Sequence, residues 1–264
     1  MLVEVKNEIK IMLLSVKYNI MRQMVNKTTF LTSILVMLLN NASFILQWIV
    51  LFSIKDDVGG YTLRQIVLLW GLASGVFGIS HVFFNKAFEM PELIIEGKLD
   101  TFLIQPKNVL LSAITSNIRI SAIGDIIYAY ICLVVYGISI QSFILFTIFI
   151  ITGGIILASL STIMGSLSFW IVKGDILADA YINMCINVST YPGSIFKGIT
   201  KIILYTVVPM GLSLYLPLDI ILKFDILKFI CIICFTVLVV SLAFLIFYKG
   251  LKRYSSSNLM SSRI

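Results

Sequence analysis

Few residues of this chain could perform covalent chemistry. The sequence contains one histidine, His81, and no GxxxxGK[ST] loop of the kind that holds nucleotide phosphates. Cys231 and Cys234 form a CxxC pair, but no second pair and no nearby histidine complete a zinc site. We therefore expect the cysteines to be small buried hydrophobic residues. We predict a chain that is not an enzyme and holds no metal or cofactor of its own.

The residues between Asn85 and Lys107 form the most distinctive polar segment. Proline at a helix start and glycine just after its end predict one or two helical turns here. These turns carry Leu93, Ile94 and Ile95, with carboxylates at helical spacing, and a second alternately apolar stretch follows. A short acidic and apolar helix suits a socket on a soluble partner; the alternative is a loop folded over the chain's own helices. The defining residues of this loop, 86–108 with its flanks, are Glu89, Pro91, Glu92, Leu93, Ile94, Glu96, Gly97, Lys98, Leu99, Asp100 and Pro106.

The composition indicates that a membrane surrounds these residues. The 264 residues are 59% hydrophobic and 12% charged, whereas soluble domains have roughly 45–50% and about 25%. The net charge of +7 comes from Lys and Arg in loops between apolar runs. That distribution is typical of the positive-inside rule rather than of nucleic-acid binding.

We predict an all-α membrane protein with six spans in a single domain, residues 1–264. Each predicted span is an apolar run of about 20 or more residues, which is long enough to cross roughly 30 Å of hydrocarbon. The fifth span is ambiguous: it lies either near Ile176–Phe196, followed by a broken re-entrant hairpin, or near Ile199–Ile221. The other five are about Thr29–Ile54, Leu63–Phe84, Val109–Gly137, Phe143–Val172 and Ile226–Tyr248.

Residues 1–27 predict an amphipathic helix that lies on the membrane surface. Its apolar residues, from Val5 to Ile20, recur at helical spacing, while Lys6, Lys10 and Lys17 share another face that can meet anionic lipid. With both termini in the cytoplasm, thirteen of the twenty Lys and Arg residues lie inside and six outside. This count favours an N-in, C-in orientation.

Three ionisable residues lie within or near the predicted spans: His81, Arg119 and Asp125. Charges in hydrocarbon cost several kcal/mol and are functional candidates by default. Arg119 and Asp125 are six residues apart and do not stack on one helix face. The alternative role for all three is structural packing. Gly71 and Gly75 form a GxxxG pair that permits close helix approach, within one subunit or between subunits.

The loop from Glu96 to Pro106 resembles the G-x-L-D-x-x-L-x-x-P loop of ABC-2-type exporter permeases, a family of about 260 residues with six spans. Further similarities lie at Phe169-Trp170, Tyr191-Pro192, Tyr215-Leu216-Pro217 and the tail from Gly250 to Ser256.

This resemblance implies a permease that pairs with a second permease, identical or homologous, and docks on two cytoplasmic ATP-binding cassette subunits. Those subunits would bind ATP and Mg²⁺. The loop after the second span would be the coupling helix, and residues 197–224 a re-entrant hairpin before the last helix. The family exports antibiotics, bacteriocin-like peptides or lipophilic compounds across the bacterial plasma membrane.

Our leading hypothesis is therefore the membrane subunit of an ATP-driven exporter that contacts lipid and no nucleic acid. An ion-coupled secondary transporter is the first alternative, although no repeat relates the two halves. A non-transporting membrane scaffold or immunity protein is the second. Polar candidates for the translocation path or for packing are Asn40, Asn41, Gln47, His81, Arg119 and Asp125.

Overall fold

The computed structural model describes residues 2–255, with side chains from Lys6 onward. Val5, in the predicted amphipathic helix, and Ser256, in the tail that resembles the permease family, fall outside the described side chains. Thirteen α-helices and no strand occur in the described part. The helices are α1 (Leu2–Gln23), α2 (Lys27–Phe52), α3 (Leu63–Phe83), α4 (Asn85–Phe88), α5 (Met90–Ile95), α6 (Asp100–Leu103), α7 (Val109–Ile114), α8 (Ser121–Tyr136), α9 (Ile140–Ser166), α10 (Gly174–Ser189), α11 (Ile199–Thr206), α12 (Leu216–Leu222) and α13 (Ile226–Leu251).

Four helices in this part of the chain are long and apolar enough to cross a membrane: α2, α3, α9 and α13. The hydrophobic run of α9 continues through a 3₁₀ turn to Phe169. A fifth candidate is α11 with the helical stretch Gly211–Leu222, bent by 76° at the break between them. The protein is thus a multi-pass membrane protein with four or five candidate spans, and the six predicted spans are not confirmed.

Helix α3 is the centre of the fold and is buried along most of its length. It packs between α8 and α9 at short distance because glycines line its contact faces. A Cβ on Gly71 would lie 2.8 Å from Cys132 Cβ, and one on Gly75 would lie 2.5 Å from Ile150 Cγ2. The GxxxG pair therefore serves packing within the chain.

The predicted third span, Val109–Gly137, is not one helix. Residues 115–120 interrupt it, and α8 is only sixteen residues long. Small polar side chains bond their own backbone at the break: the Thr115 hydroxyl donates to Leu111 O at 2.8 Å, and Asn117 Oδ1 accepts from the Ile118 N–H at 2.9 Å. Such local bonds compete with helix continuation. Arg119 consequently lies in the break, where it is exposed, and not inside a span.

The N-terminal helix α1 lies across this break. Ser15 Oγ donates to Thr115 O at 2.9 Å, and Asn19 Nδ2 donates to Ser116 O at 3.1 Å. Val16 is buried next to these contacts, whereas Lys17 is exposed. An amphipathic helix is therefore present as predicted, and part of its inner face supplies donors to carbonyls that the broken helix leaves unsatisfied.

The ambiguous fifth region begins with α10, which ends at Ser189 rather than at Phe196. Pro192 follows within three residues, and a proline disfavours the helical conformation in the residue before it. Tyr181 Oη, on α10, donates to Val207 O at 3.1 Å. This contact ties α10 to the end of α11, so both segments of the alternative interpretations belong to one packed unit. Whether the bent pair crosses the membrane or re-enters it stays open.

Helices α2 and α13 are the least buried of the candidate spans. Most of their apolar side chains face outward, as expected for surfaces against lipid or another membrane chain. Cys231 and Cys234 are among the exposed residues of α13, so the expectation that these two are buried was wrong, whereas Cys132 and Cys185 are buried.

Candidate functional site

The loop after α3 folds into three short helices, α4 to α6, and several of the loop's apolar residues are buried inside the protein. Leu93, Ile94 and Leu99 are almost fully buried. They form one cluster with Ala158 of α9 and Phe247 of α13. Of the two interpretations of this loop, the burial of Leu93 and Ile94 fits the one in which the loop folds over its own helices. The coupling role of the loop residues stays a prediction.

Proline and glycine bound α5 as the sequence predicts. Pro91 lies in its first turn, where a missing N–H costs no helical hydrogen bond. Gly97 follows the helix end with φ of 71°, a conformation that favours glycine. The chain then turns back so that the Leu99 N–H donates to Leu93 O at 3.3 Å. The turn brings Leu99 into the same buried cluster as Leu93.

Four residues on and just after α5 face outward and form what we call the loop face: Glu92, Ile95, Glu96 and Lys98. Lys98 Nζ forms ion pairs with Glu92 and, at 2.7 Å, with Glu96. The hydrogen bond from Lys98 lowers the pKa of Glu92, and the two carboxylates raise the pKa of Lys98. Exposed pairs contribute little to stability. Their effect is a defined surface with one lysine between two carboxylates beside a half-exposed isoleucine.

The remaining predicted loop residues lie elsewhere. Glu89 turns back to α4, where it pairs with Lys86 and accepts from Asn85 Nδ2 at 2.9 Å, so it is not part of the loop face. Asp100 lies near Tyr254 at the chain's far end: burial raises the pKa of Tyr254 to about 12, and the Asp100 carboxylate acts in the same direction. Pro106 is exposed.

An aromatic cluster connects this loop to the last helix. The Phe169 ring meets Phe247 at 5.8 Å and Tyr254 at 6.3 Å, both edge to face. All three rings pack against the cluster that holds Leu93 and Leu99. The loop is thus packed directly against α9 and α13.

A cavity of about 310 Å³ brings together most of the polar residues predicted in the spans. Asn40, Asn41, His81, Arg119 and Asp125 all line it, although they come from three different helices and the break. Gln47 does not line it and instead borders an adjoining cavity of about 390 Å³. Five of the six polar candidates are thus neighbours in space.

Asp125 is the centre of a buried hydrogen-bond cluster. Its Oδ1 accepts from Asn41 Nδ2 at 2.6 Å, and its backbone O accepts from Ser74 Oγ at 2.8 Å. The three residues come from α8, α2 and α3 and are all buried. The cluster fixes these helices relative to one another and leaves a carboxylate on the cavity wall.

His81, near the end of α3, also lines the cavity, and its ring makes contacts on two sides. Its Nδ1 lies 2.9 Å from Phe77 O, which can only accept, so this nitrogen carries the proton. The ring stacks on Phe88 of α4 at 4.0 Å. His81 therefore connects the cavity wall to the loop helices.

Aromatic residues that sequence reasoning missed form the rest of the wall. Phe44 and Trp70 stack at 5.3 Å and line both cavities, so this pair lies where the two meet. Trp70 is buried, and its Nε1 has no hydrogen-bond partner. Helix α10 adds Ile186 and Thr190. A tryptophan next to the GxxxG pair was the available signal, but only the packing of α3 places it on a cavity.

A family model described as "ABC-2 family transporter protein" matches residues 35–258 of this chain. The match covers α3 to α13 and most of α2, including the loop and both cavities. No curated protein matches the chain. No solved structure matches it either.

Proposed function

The chain belongs to the ABC-2 transporter family, and on that premise we propose that it is the membrane-spanning permease subunit of an ATP-driven exporter. The sequence has no phosphate-binding loop, so ATP with Mg²⁺ would be bound and hydrolysed by a partner subunit. The observation that carries this proposal is the loop after α3, which is anchored inside the protein and presents a charged and apolar face outside it.

The loop face has the properties of a docking surface. Its helix is held by buried Leu93, Ile94 and Leu99, so binding requires little additional ordering. Ile95 supplies an apolar contact of the kind that fills a shallow pocket, and Glu96 and Lys98 supply charges that set orientation. We assign the coupling role to this face rather than to the whole predicted set of loop residues.

Coupling would proceed through the packed core of the loop. ATP binding would close two cassette subunits and move the docked loop. The Phe169 cluster would pass this movement to α13 and α9, and the His81–Phe88 stack would pass it to α3. Rigid contacts of this kind transmit displacement because packed cores resist compression.

The two cavities between α2, α3 and α10 are the candidate translocation path. They lie end to end, with polar groups at one end, the Phe44–Trp70 pair at their junction, and Gln47 in the second cavity. A lipophilic or peptide-like substrate fits such amphipathic walls. Alternate access would require the stacked pair to separate.

The proposed assembly contains two permeases and two ATP-binding cassette subunits in a bacterial plasma membrane. The outward apolar surfaces of α2 and α13 offer area for lipid and for the second permease. We infer that both termini face the cytoplasm, which places the loop face on the same side as the cassette subunits.

Affinity purification of the full chain from its native membrane tests the proposal. We expect an ATP-binding cassette subunit to co-purify and to hydrolyse ATP. Reversing both loop-face carboxylates, Glu92→Lys with Glu96→Lys, should abolish co-purification, whereas the exposed control Asp56→Lys, in the loop before α3, should not. A wild-type chain that recruits no ATPase would favour the secondary-transporter or scaffold alternatives.

A further inference from the structure

The cavity beside Asp125 has a chemistry that indicates a substrate class. We propose that it binds monovalent organic cations with an apolar body. This inference rests on the proposed permease function, which supplies the reason for a binding cavity at this depth, but it can be tested on the chain alone.

The buried carboxylate is the first basis for this proposal. Asp125 is 5% exposed and lines the cavity. Asn41 gives it one hydrogen bond, yet within the described residues no basic side chain lies within 4 Å of it. A carboxylate at membrane depth is costly unless a cation balances it. Arg119, on the same cavity wall, attracts the carboxylate only from beyond ion-pair distance, so a cation bound against Asp125 would balance its charge at closer range.

The aromatic wall is the second basis. Phe44, Trp70 and Phe77 line the same cavity as the carboxylate. Aromatic faces attract cations electrostatically, and they do so more strongly when the site is dry. An apolar cation can therefore place its charge near Asp125 and its body against these rings. An anion would meet the negative faces of the rings and the carboxylate together.

Arg119 and His81 are the other titratable residues on the wall, and they limit the charge of the ligand. Arg119 is exposed in the break before α8, and His81 is engaged with Phe77 O. A single ligand charge can be balanced by Asp125, but a second would face Arg119 without a counter-charge. The volume of about 310 Å³ lies at the lower end of the roughly 300–1,000 Å³ typical of small-molecule sites.

The competing explanation is that Asp125 only joins α2, α3 and α8. Both explanations predict that losing the residue harms the protein, so stability alone does not separate them. They differ in the sign of the charge effect on ligand binding. If Asp125 has only a structural role, replacing it should change the binding of a cation and of an anion of the same shape to the same extent.

The test uses tetraphenylphosphonium and tetraphenylborate, two ions of matching shape and opposite charge. Equilibrium dialysis of the purified full chain in nanodiscs of neutral lipid measures the affinity for each. We expect saturable binding of the phosphonium, weakened at least about tenfold by Asp125→Asn, which keeps a partner for Asn41. Borate binding should not weaken in that variant. Equal effects on both ions, or no effect on the phosphonium, would overturn the proposal.

Arg119→Gln keeps the test decisive if the Asp125 variant does not fold, because Arg119 is exposed and outside the hydrogen-bond cluster. Removing this positive charge should strengthen phosphonium binding about twofold or more, and unchanged or weaker binding would refute the inference. The dialysis needs no ATP. A chain that binds the cation but recruits no ATPase would refute the permease function alone, and a coupled chain that binds no cation would refute this inference alone.

Discussion

Ile94 and Ile95 are adjacent in sequence, but one side chain is buried in the loop's anchor and the other is exposed on the loop face. This difference allows a matched test of the proposed coupling loop. Ile94 is 1% exposed and packs in the cluster that joins the loop to α9 and α13, whereas Ile95 is 39% exposed on the loop face. The same substitution, isoleucine to alanine, should therefore damage stability at one position and partner coupling at the other.

The stability cost follows from the atoms removed. Ile94→Ala deletes three buried carbons, and at about 0.8 kcal/mol each this is roughly 2.5 kcal/mol before any cavity cost. Core substitutions of this type cost about 2–5 kcal/mol. For a chain of this size we expect a loss on the order of 5–10 °C in melting temperature. Ile95→Ala should cost about 1 kcal/mol or less, since its side chain is already partly in water.

Two assays separate the effects. Thermal unfolding of the purified chain measures stability, and stimulated ATP hydrolysis by the reconstituted complex measures coupling. Ile95→Ala should reduce stimulated hydrolysis while its melting temperature stays within about 4 °C of wild type. Equal melting shifts in both variants, or an Ile95 variant with normal stimulation, would refute the division of the loop into an anchor and a face.

Three further outcomes are expected. Gly75→Ala should destabilise the α3–α9 contact by about 1–3 kcal/mol, measured by thermal unfolding, because the new Cβ would lie 2.5 Å from Ile150 Cγ2, whereas Leu39→Ala on the exposed surface of α2 should cost far less. Asn19→Ala should increase hydrogen exchange in α1 because it removes the donor to Ser116 O, and Lys17→Ala should not. The loop-face ion pairs should also depend on pH. Glu92 has a lowered pKa, so its contribution is present above the ordinary carboxylate pKa and is lost as the pH falls through the lowered value. Lys98 has a raised pKa, so its contribution is present below the ordinary lysine pKa and is lost only as the pH rises through the raised value. Partner binding that weakens steadily between pH 6 and pH 9 would contradict both.

Local rules correctly predicted the ends of α5 and the presence of α1. Pro91 and Gly97 bound α5 as expected, and the amphipathic pattern placed α1 correctly. These features depend on backbone conformation and side-chain periodicity, which neighbouring residues determine. The family assignment also followed from the order of short motifs, and the family match supports it.

The orientation of side chains within the loop could not be predicted in the same way. Leu93, Ile94 and Ile95 are all large aliphatic residues, so their types do not show which of them is buried. That is decided by the positions of Ala158 and Phe247, some 60 to 150 residues later in the chain. The break in the third span was missed for a related reason. Hydropathy measures how favourably a residue transfers into lipid. It contains no information on the hydrogen bonds that the Thr115 and Asn117 side chains form with nearby backbone groups.

The sequence identified most of the polar residues that line the cavity, but it did not show that they lie next to one another in space. Rules about membrane charges selected Asp125 and Arg119, and polar candidates on α2 selected Asn41. Their meeting at one wall depends on how closely α3 approaches α8, which the glycines permit. Trp70 and Phe44 carry no charge, so rules about charges in membranes do not select them, although they form the junction of the two cavities.

The docking of α1 on the break has a consequence for how the protein is made. The Ser15 hydroxyl donates a hydrogen bond to the carbonyl of Thr115, which lies 100 residues later in the chain. At about 5–20 residues per second, the ribosome needs roughly 5–20 s to deliver that carbonyl after α1 has emerged. We expect the nascent helix to wait on the lipid surface during this interval. Its attachment would then mark the moment at which the two candidate spans α2 and α3 and the loop after them have been synthesised.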